Sequence, residues 1–376
     1  MRTLPREPIS GRLTTLREVT LDDVEGVVEA CNDAQTRRFL NRLPNPYTAD
    51  DARDWITSQI PSGWATGQAG FAIARNGDNR IAGSIGLGAP SPDGHATSIG
   101  YWVAPWARGH GVATDAARAL ADWAFRQGFG RIELLTHVAN AASMRVALGA
   151  GFTHEGVRRA VAPDHDGWRD MVVWVRLAGD PGVPAPRVLP DLPNGSLTDG
   201  VVRLTRVEES DADAMYRLAA LPEVIATTVA TQPPTRDSIG HRCATAAYKW
   251  LIGERAEFAI RDAATGAFAG DIGMFREPPT GQAMVGYSLL REWRGQQYAG
   301  RAVRLVADWA FDIGIPRLSA GTAPDNIASQ RTLERCGFQR EGYERARLPS
   351  VSGARIDNVS WAMLPADRTR PPQRDR

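Results

Sequence analysis

The feature that most limits what this chain can fold into is an internal repeat. Residues 99–156 align without a gap on residues 285–342, and 23 of the 58 aligned positions are identical. Identity that dense is not expected of unrelated segments, so each half is a copy of one structural unit. The sequence ADWAF at 121–125 recurs at 307–311, Asn140 and Ser143 recur as Asn326 and Ser329, and Gly151-Phe152 recurs as Gly337-Phe338. The openings also match: TLREV at 15–19 resembles RLTRV at 203–207. In 376 residues this predicts two domains, each long enough to bury its own core.

Residues 178–200 separate the copies and carry Pro181, Pro184, Pro186, Pro190 and Pro193. Proline removes backbone donors and restricts the residue before it, so this stretch reads as a stiff linker. The expected boundaries are an N-terminal domain at 1–178, a linker at 179–199, a C-terminal domain at 200–366 and a flexible tail at 367–376. The tail has too little apolar content to pack.

Within the first copy, Thr20 with Asp23 and Thr48 with Asp51 read as helix starts with an acidic third residue. Those helices run through Cys31 and Ile60. Apolar runs at 70–75, 81–88 and 97–103 read as strands, and 112–126 as a helix, because Val112, Ala116, Leu120 and Trp123 recur near a 3.6-residue period. A strand at 131–138, a helix at 140–148 and two strands near 152–159 and 169–177 complete the order. This is an α/β architecture, and the second copy repeats it.

The junction between strand and helix at 101–117, YWVAPWARGHGVATDAA, carries the chemistry. Pro105 ends a strand, and Arg108-Gly109-His110-Gly111-Val112-Ala113 opens a helix. Glycines there let several N–H groups converge on one point, and a helix N-terminus favours an anion, which suits a phosphate or pyrophosphate. The alternative is a plain turn. Other phosphate motifs fit badly. There is no Gly-Lys-Ser/Thr, and the third glycine of a dinucleotide fingerprint is replaced by Thr114.

Composition narrows the partners. Forty-four basic and 43 acidic residues give a net charge of +1, so no global field recruits nucleic acid or an anionic membrane. Cys31, Cys243 and Cys336 are far apart and form no C-x-x-C pair, which argues against a disulfide framework or a metal site and suits a cytoplasmic protein. No apolar run approaches 18 residues, and the N-terminus shows no signal-peptide core.

Taken with its surroundings, this loop resembles that of the GNAT superfamily of N-acetyltransferases, and within it the ribosomal-protein (RimJ/RimL-like) type. The resemblance rests on RGHGVA at 108–113, on Asn140-Ala141-Ala142-Ser143, on Gly151-Phe152 with Glu155-Gly156, and on Gly83-Ser84-Ile85-Gly86 and Trp55 before them. It covers nearly the whole chain, twice. It implies two tandem domains, each a mixed, mostly antiparallel sheet with helices on both faces, packed as an intrachain pseudo-dimer. A homodimer is left open. The cofactor implied is acetyl-CoA. Main-chain amides of Arg108, Gly109, His110, Gly111, Val112 and Ala113 would hold its pyrophosphate. The backbone of Trp102 and Val103 would pair with the pantetheine arm, and Asn140 and Ser143 would face the arm and the sulfur. The acceptor would be a primary amine, of a small molecule or a protein N-terminus, near Phe39 and Trp55.

The second copy departs from the pattern. Its counterparts are Leu289, Arg294, Gly295, Gln296, Tyr298, Ala299, Asn326 and Ser329, but Gln297 stands in place of Gly111 and Arg301 in place of Asp115. For catalysis, Ser143 is the candidate proton donor. The candidate bases are His137 and Glu133, four residues apart on one strand and so on one face. A water relay and a neutral amine stay open, as does a non-catalytic acyl-CoA-binding or regulatory protein.

Overall fold

The computed structural model describes residues 3–40, 42–164, 167–227, 229 and 232–369. The chain divides between Pro186 and Arg187 into two units, each built on its own eight-stranded sheet. In the first unit the strands are β1 (Ile9–Ser10), β2 (Thr14–Arg17), β3 (Ala69–Arg75), β4 (Ile81–Leu87), β5 (Ala96–Val103), β6 (Arg131–His137), β7 (Thr153–Asp164) and β8 (Gly167–Leu177), in the spatial order 1-2-3-4-5-6-8-7. The helices are α1 (Val24–Asn32), α2 (Ala34–Phe39), α3 (Ala49–Asp54), α4 (Ile60–Ala65), α5 (Val112–Arg126) and α6 (Ala141–Gly149). Every neighbouring strand pair is antiparallel except β5–β6, which is parallel.

Local sequence explains most of these boundaries. Thr20 and Asp23 form the reciprocal cap expected of them, as do Thr48 and Asp51. The second helix does not stop at Ile60. A π-helical turn over Trp55–Gln59 leads into α4, which carries Pro61 within its first turn. Sequence alone does not announce α2, a six-residue helix capped by Asp33. One face of the sheet packs on α5 and α6, with Leu120, Trp123, Ile132 and Trp174 buried. The other face packs on α1 and α3 through Val27, Ala52, Ile56 and Ala72.

The second unit repeats the plan with β9 (Ser196–Thr198), β10 (Val202–Arg206), β11 (Arg255–Asp262), β12 (Phe268–Glu277), β13 (Gln282–Leu289), β14 (Leu318–Thr322), β15 (Gln339–Pro349) and β16 (Arg355–Met363). Its helices are α7 (Ala212–Ala219), α8 (Pro222–Thr227), α9 (Arg236–Leu251), α10 (Tyr298–Asp312) and α11 (Ile327–Arg335). The parallel pair is β13–β14.

The stretch expected to be a stiff linker, and the start of the tail expected to be flexible, are packed. Before the division, the Ala185 N–H donates to the Leu148 carbonyl, and a Cβ on Gly151 would lie 2.9 Å from the Val183 oxygen. Beyond it, Leu189 and Leu192 are buried in the second unit's core, and the Pro190 carbonyl accepts from the Trp250 indole. The proline-rich stretch is therefore divided between the units rather than strung between them. Similarly, Pro365–Thr369 forms a short 3-10 turn in which buried Asp367 accepts from Leu364 N and Gln339 Nε2. Residues 370–376 of the expected tail, and His165 and Asp166, lie outside the described residues.

Candidate active site

Strands β5 and β6 are paired only from Ala96–Arg131 to Ile99–Leu134 and part beyond that. On its other edge β5 keeps a regular antiparallel ladder with β4. There the Gly88 N–H donates to Ser98 O and the Ala104 N–H to Ala82 O. Alternation then aims the backbone groups of Gly100 and Trp102 at β4, and those of Tyr101 and Val103 into the gap. This corrects the expectation for Trp102: its backbone is spent inside the sheet, and Tyr101 takes its place beside Val103. The gap opens into a cavity of about 650 Å³. Apart from the Val103 carbonyl, which Arg108 engages, backbone groups aimed into the slot require partners there, which is what an extended, amide-bearing ligand supplies.

At the mouth of the slot, Gly109 (φ +77°) and Gly111 (φ +76°) are left-handed. A Cβ on Gly109 would meet nothing within 4 Å, and one on Gly111 only Leu13 Cδ1 at 3.4 Å. Sterics within the protein therefore do not demand glycine; the backbone angle does. Gly111 caps α5, fifteen residues long, so the free N–H groups of its first turn and its dipole point at the mouth. Asp115, in that turn, is turned away. Its carboxylate accepts from Arg12 N, Leu13 N, Thr14 N and Thr14 Oγ1 at 2.8–3.1 Å and so fixes the β1–β2 hairpin.

Arg108 uses its side chain as a staple. It donates to Val103 O at 3.2 Å, Gln35 Oε1 at 3.0 Å, Asp33 Oδ2 at 2.5 Å and Thr36 Oγ1 at 2.7 Å, tying α2 to the end of β5. Its contribution to an anion is thus left to its backbone. His110 is exposed and does not line the cavity, whereas Val112 and Ala113 do.

The wall on the α5/α6 side carries a pair that sequence reasoning did not single out. Tyr101 Oη and Ser143 Oγ lie 2.7 Å apart, and both residues line the cavity. Asn140 caps α6 by accepting the Ser143 N–H at 3.1 Å, which fixes the serine backbone. Burial pushes the Tyr101 phenol well above its ordinary pKa, so it stays protonated. The missed signal was present: Gly100-Tyr101 recurs as Gly286-Tyr287, and Tyr287 Oη lies 2.8 Å from Ser329 Oγ.

Neither proposed base fits its part. Burial alone would raise the Glu133 carboxyl, but Arg158 and Arg131, at 2.7 and 2.8 Å, hold it below its ordinary value. It is a paired carboxylate and does not line the cavity. His137 does line it, on the opposite side of the sheet from Ser143, against Phe39 with ring centroids 5.9 Å apart. Its Nδ1 lies 3.1 Å from the Ala139 N–H, and its Nε2 lies 3.3 Å from Arg169 Nη1, a group that only donates, so both ring nitrogens stand beside donors of the protein. Of the two aromatics expected near an acceptor, Phe39 lines the cavity, and Trp55 packs instead against the core around Ala52 and Ile56.

In the second unit Gly295 (φ +75°) and Gln297 (φ +64°) keep the left-handed pair, with Gln297 adopting it despite its Cβ. Arg294 donates to Leu289 O and Glu223, the same staple as Arg108. Arg301 reaches Asp199, whose carboxylate accepts from Val201 N and Val202 N, so the anchor of the hairpin has changed sides. Gln296 donates to Glu292 O, Tyr298 Oη donates to Asp262 at 2.6 Å, and Asn326 caps α11 at Ser329, one residue beyond Ala328.

A parted parallel strand pair, a left-handed glycine loop opening a helix, and a capped serine facing the gap define an acyl-CoA-handling fold. The sequence profile of the acetyltransferase (GNAT) domain matches residues 13–153 and again 202–339. The chain belongs to the GNAT acetyltransferase family. It is similar to the Bacillus subtilis "Probable N-acetyltransferase YjcK", 32% identical over 117 residues, which are 30% of this chain and 64% of that protein. The Bacillus licheniformis "Uncharacterized N-acetyltransferase p20" is 30% identical over 120 residues, 30% of this chain and 65% of that one. The matches thus span somewhat under two thirds of these relatives. Among solved structures, Mycobacterium smegmatis RimJ in complex with CoA-disulfide overlaps 47% of this chain and 89% of its own at 23% identity and a TM-score of 0.43.

Proposed function

We propose that the first unit transfers an acetyl group from acetyl-CoA to a primary amine. The observation that carries this reading is the slot between β5 and β6, with backbone groups of Tyr101 and Val103 aimed into it and the Tyr101–Ser143 pair on its wall. The residues present fit coenzyme A: the amides at Gly109–Ala113 suit its pyrophosphate, and the slot suits its amide-bearing arm. When bound, acetyl-CoA supplies an activated thioester.

The chain's own part is orientation and proton handling. Holding amine and thioester in register replaces a large part of the entropic barrier. The Val103 N–H is placed to stabilise charge developing on a carbonyl oxygen in the slot. Ser143 donates its proton to the departing sulfur, Tyr101 donates its own to Ser143 Oγ as that charge forms, and the phenol, whose anion burial disfavours, regains a proton from solvent in place of the one the amine releases. Glu133 is a paired carboxylate and both His137 nitrogens stand beside protein donors, so in this reading the amine enters as the free base and its proton leaves to solvent.

The test is a thiol-release assay with a panel of amines whose own pKa values differ. The log of kcat/KM is expected to rise with unit slope and level off near the pKa of each amine, about 8 for a peptide N-terminus. A midpoint that ignores the amine and vanishes in His137→Gln would overturn the free-base route. Ser143→Ala is expected to lower kcat at least 10-fold with little change in the KM of acetyl-CoA. Coenzyme A binding without turnover of any amine would favour a regulatory acyl-CoA-binding protein.

A further inference from the structure

The parted stretch of β5 presents its two faces unequally. Tyr101 turns its side chain toward α6 and Ser143. Gly100 and Trp102, on either side of it, therefore belong to the opposite face, where Trp102 packs on the core under α1 and α3. Gly100 is the first residue of β5 past its last pair with β6, Ile99–Leu134, and it lines the cavity. The glycines of the neighbouring strand have a reason in the fold. A Cβ on Gly83 would lie 2.3 Å from Trp102 O, and one on Gly86, the cross-strand partner of Gly100, 2.3 Å from Ala69 O. Gly100 has no such reason. Its φ is outside the left-handed region, and among the described residues a Cβ there would meet nothing within 4 Å. Glycine weakens a strand, and where neither angle nor packing calls for it, it marks the close approach of another group.

The second unit roofs the matching space. Gly286 is the counterpart of Gly100 and pairs with Gly273 as Gly100 pairs with Gly86, so Phe275 stands where Gly88 does. The Phe275 ring lies over this part of the sheet: its Cε2 would be 3.0 Å from a Cβ on Gly273 and 4.0 Å from one on Gly286. The Arg255 guanidinium covers that ring at 4.7 Å. The same sheet thus accepts an aromatic roof, and the first unit leaves the place bare.

Resting on the transfer reading above, we propose that Gly100 is a specificity-determining residue: the space it leaves is the approach of the amine, and it admits an acceptor whose amine-bearing carbon is itself substituted. An arm lying between β5 and β6 as an added strand holds its carbonyl planes near the plane of the sheet, because its hydrogen bonds run sideways to the strands. The two faces of a thioester there look to opposite sides of the sheet. Tyr101 and Ser143 occupy one side, so the amine nitrogen reaches the acyl carbon from the other, over Gly100. The N–C bond forms, the C–S bond breaks, the sulfur takes the Ser143 proton, and the proton of the amine goes to solvent. Carbon atoms in contact stand about 3.5–4.0 Å apart, so with the Cβ position clear to 4 Å a methyl of the acceptor rests against the bare Cα. A side chain at this position would stand in its place.

The experiment uses bisubstrate probes, in which the sulfur of coenzyme A is joined through –CH2–CO– to the nitrogen of glycinamide, alaninamide or valinamide. The coenzyme part brings each probe to the slot whatever the natural acceptor, and calorimetry on the full chain reads affinity without turnover. The parent is expected to hold the three probes within about threefold of one another. Gly100→Ala is expected to lower the affinity for the valinamide probe at least about 10-fold, the effect of one methyl too many in a fitted pocket. Gly100→Val extends that loss to the alaninamide probe, and both variants keep the glycinamide probe and free coenzyme A within about threefold of the parent. A parent that already binds the valinamide probe about 10-fold more weakly than the glycinamide probe would overturn the proposal, as would equal losses for all probes in Gly100→Ala. So would variants that treat the three probes alike and instead discriminate butyryl-CoA from acetyl-CoA, since the space would then belong to the acyl chain. Selective losses with no amine turned over would sustain the placement of the acceptor and defeat the transfer reading. Turnover of amines with equal losses would do the reverse.

Discussion

At the residue scale the two copies differ most tellingly at one backbone angle. Gly111 and Gln297 hold the same left-handed conformation, at φ +76° and +64°. For a residue with a Cβ that conformation costs about 1 kcal/mol and persists only where the surroundings impose it. Gly111→Ala is therefore expected to destabilise the first unit by about 1 kcal/mol in urea unfolding, a figure already reduced by the lower entropy of the unfolded chain. The added methyl meets only Leu13 at ordinary contact distance, so packing contributes little. On the proposal that this loop holds the pyrophosphate, the same methyl obstructs it, and calorimetric affinity for coenzyme A is expected to fall at least 10-fold. Lost stability with unchanged affinity would place the donor elsewhere. In the second unit the strain is present and the left-handed pair survives, so the bend there is set by its flanks: Arg294 on Leu289 O, and Tyr298 against Trp293 and Asp262.

At the scale of elements, the parting of β5 from β6 creates the slot, and arginines hold its edges. Arg108 fixes α2 on one side. On the other, Glu133 of β6 sits between Arg131 and Arg158 of β7. Its carboxyl is held below the ordinary value by these arginines against the opposing effect of burial. A carboxylate lowered on folding stabilises the fold above its unfolded pKa, near 4.3, and that contribution fades as pH falls through the folded value. Glu133→Gln is thus expected to be less stable than the parent at pH 7, by up to about 1 kcal/mol given partial solvent screening. The difference should close below pH 4. A gap independent of pH, read from urea midpoints across that range, would show that Glu133 acts through shape rather than charge. The same region carries a device common to both copies: Ala160 and Ala346 are left-handed, and their N–H groups donate to Asp170 and Asp357 of the next strand.

At the scale of the whole molecule, the division falls inside the proline-rich stretch. A fragment ending at Pro186 keeps the bond from Ala185 to Leu148 and the chain that covers Gly151, whereas one ending at Ala178 loses both. The longer fragment is expected to melt about 2–4 °C higher for each kcal/mol those contacts supply. Equal melting temperatures would mean that residues 179–186 only connect. The corresponding cut for the second unit must keep Leu189 and Leu192, which are buried in its core.

The order of elements, the repeat and the glycine loop were legible because each is written locally: in capping residues, in apolar periods of 2 and 3.6, and in identities at a constant offset. What escaped was short or relational. Helix α2 is six residues without a full amphipathic period. Tyr101 earned no role until the fold set it 2.7 Å from a serine 42 residues away. Glu133 and His137 share a face by their spacing, and only their partners show one to be a paired carboxylate and the other a ring set between the Ala139 N–H and Arg169. Sequence alone settled which unit this is and that it occurs twice, since local propensities add along the chain. Which side chains share a wall of the slot, and which charges are already spent, was decided by tertiary structure, because hydrogen bonds and ion pairs depend on distances that strand pairing creates.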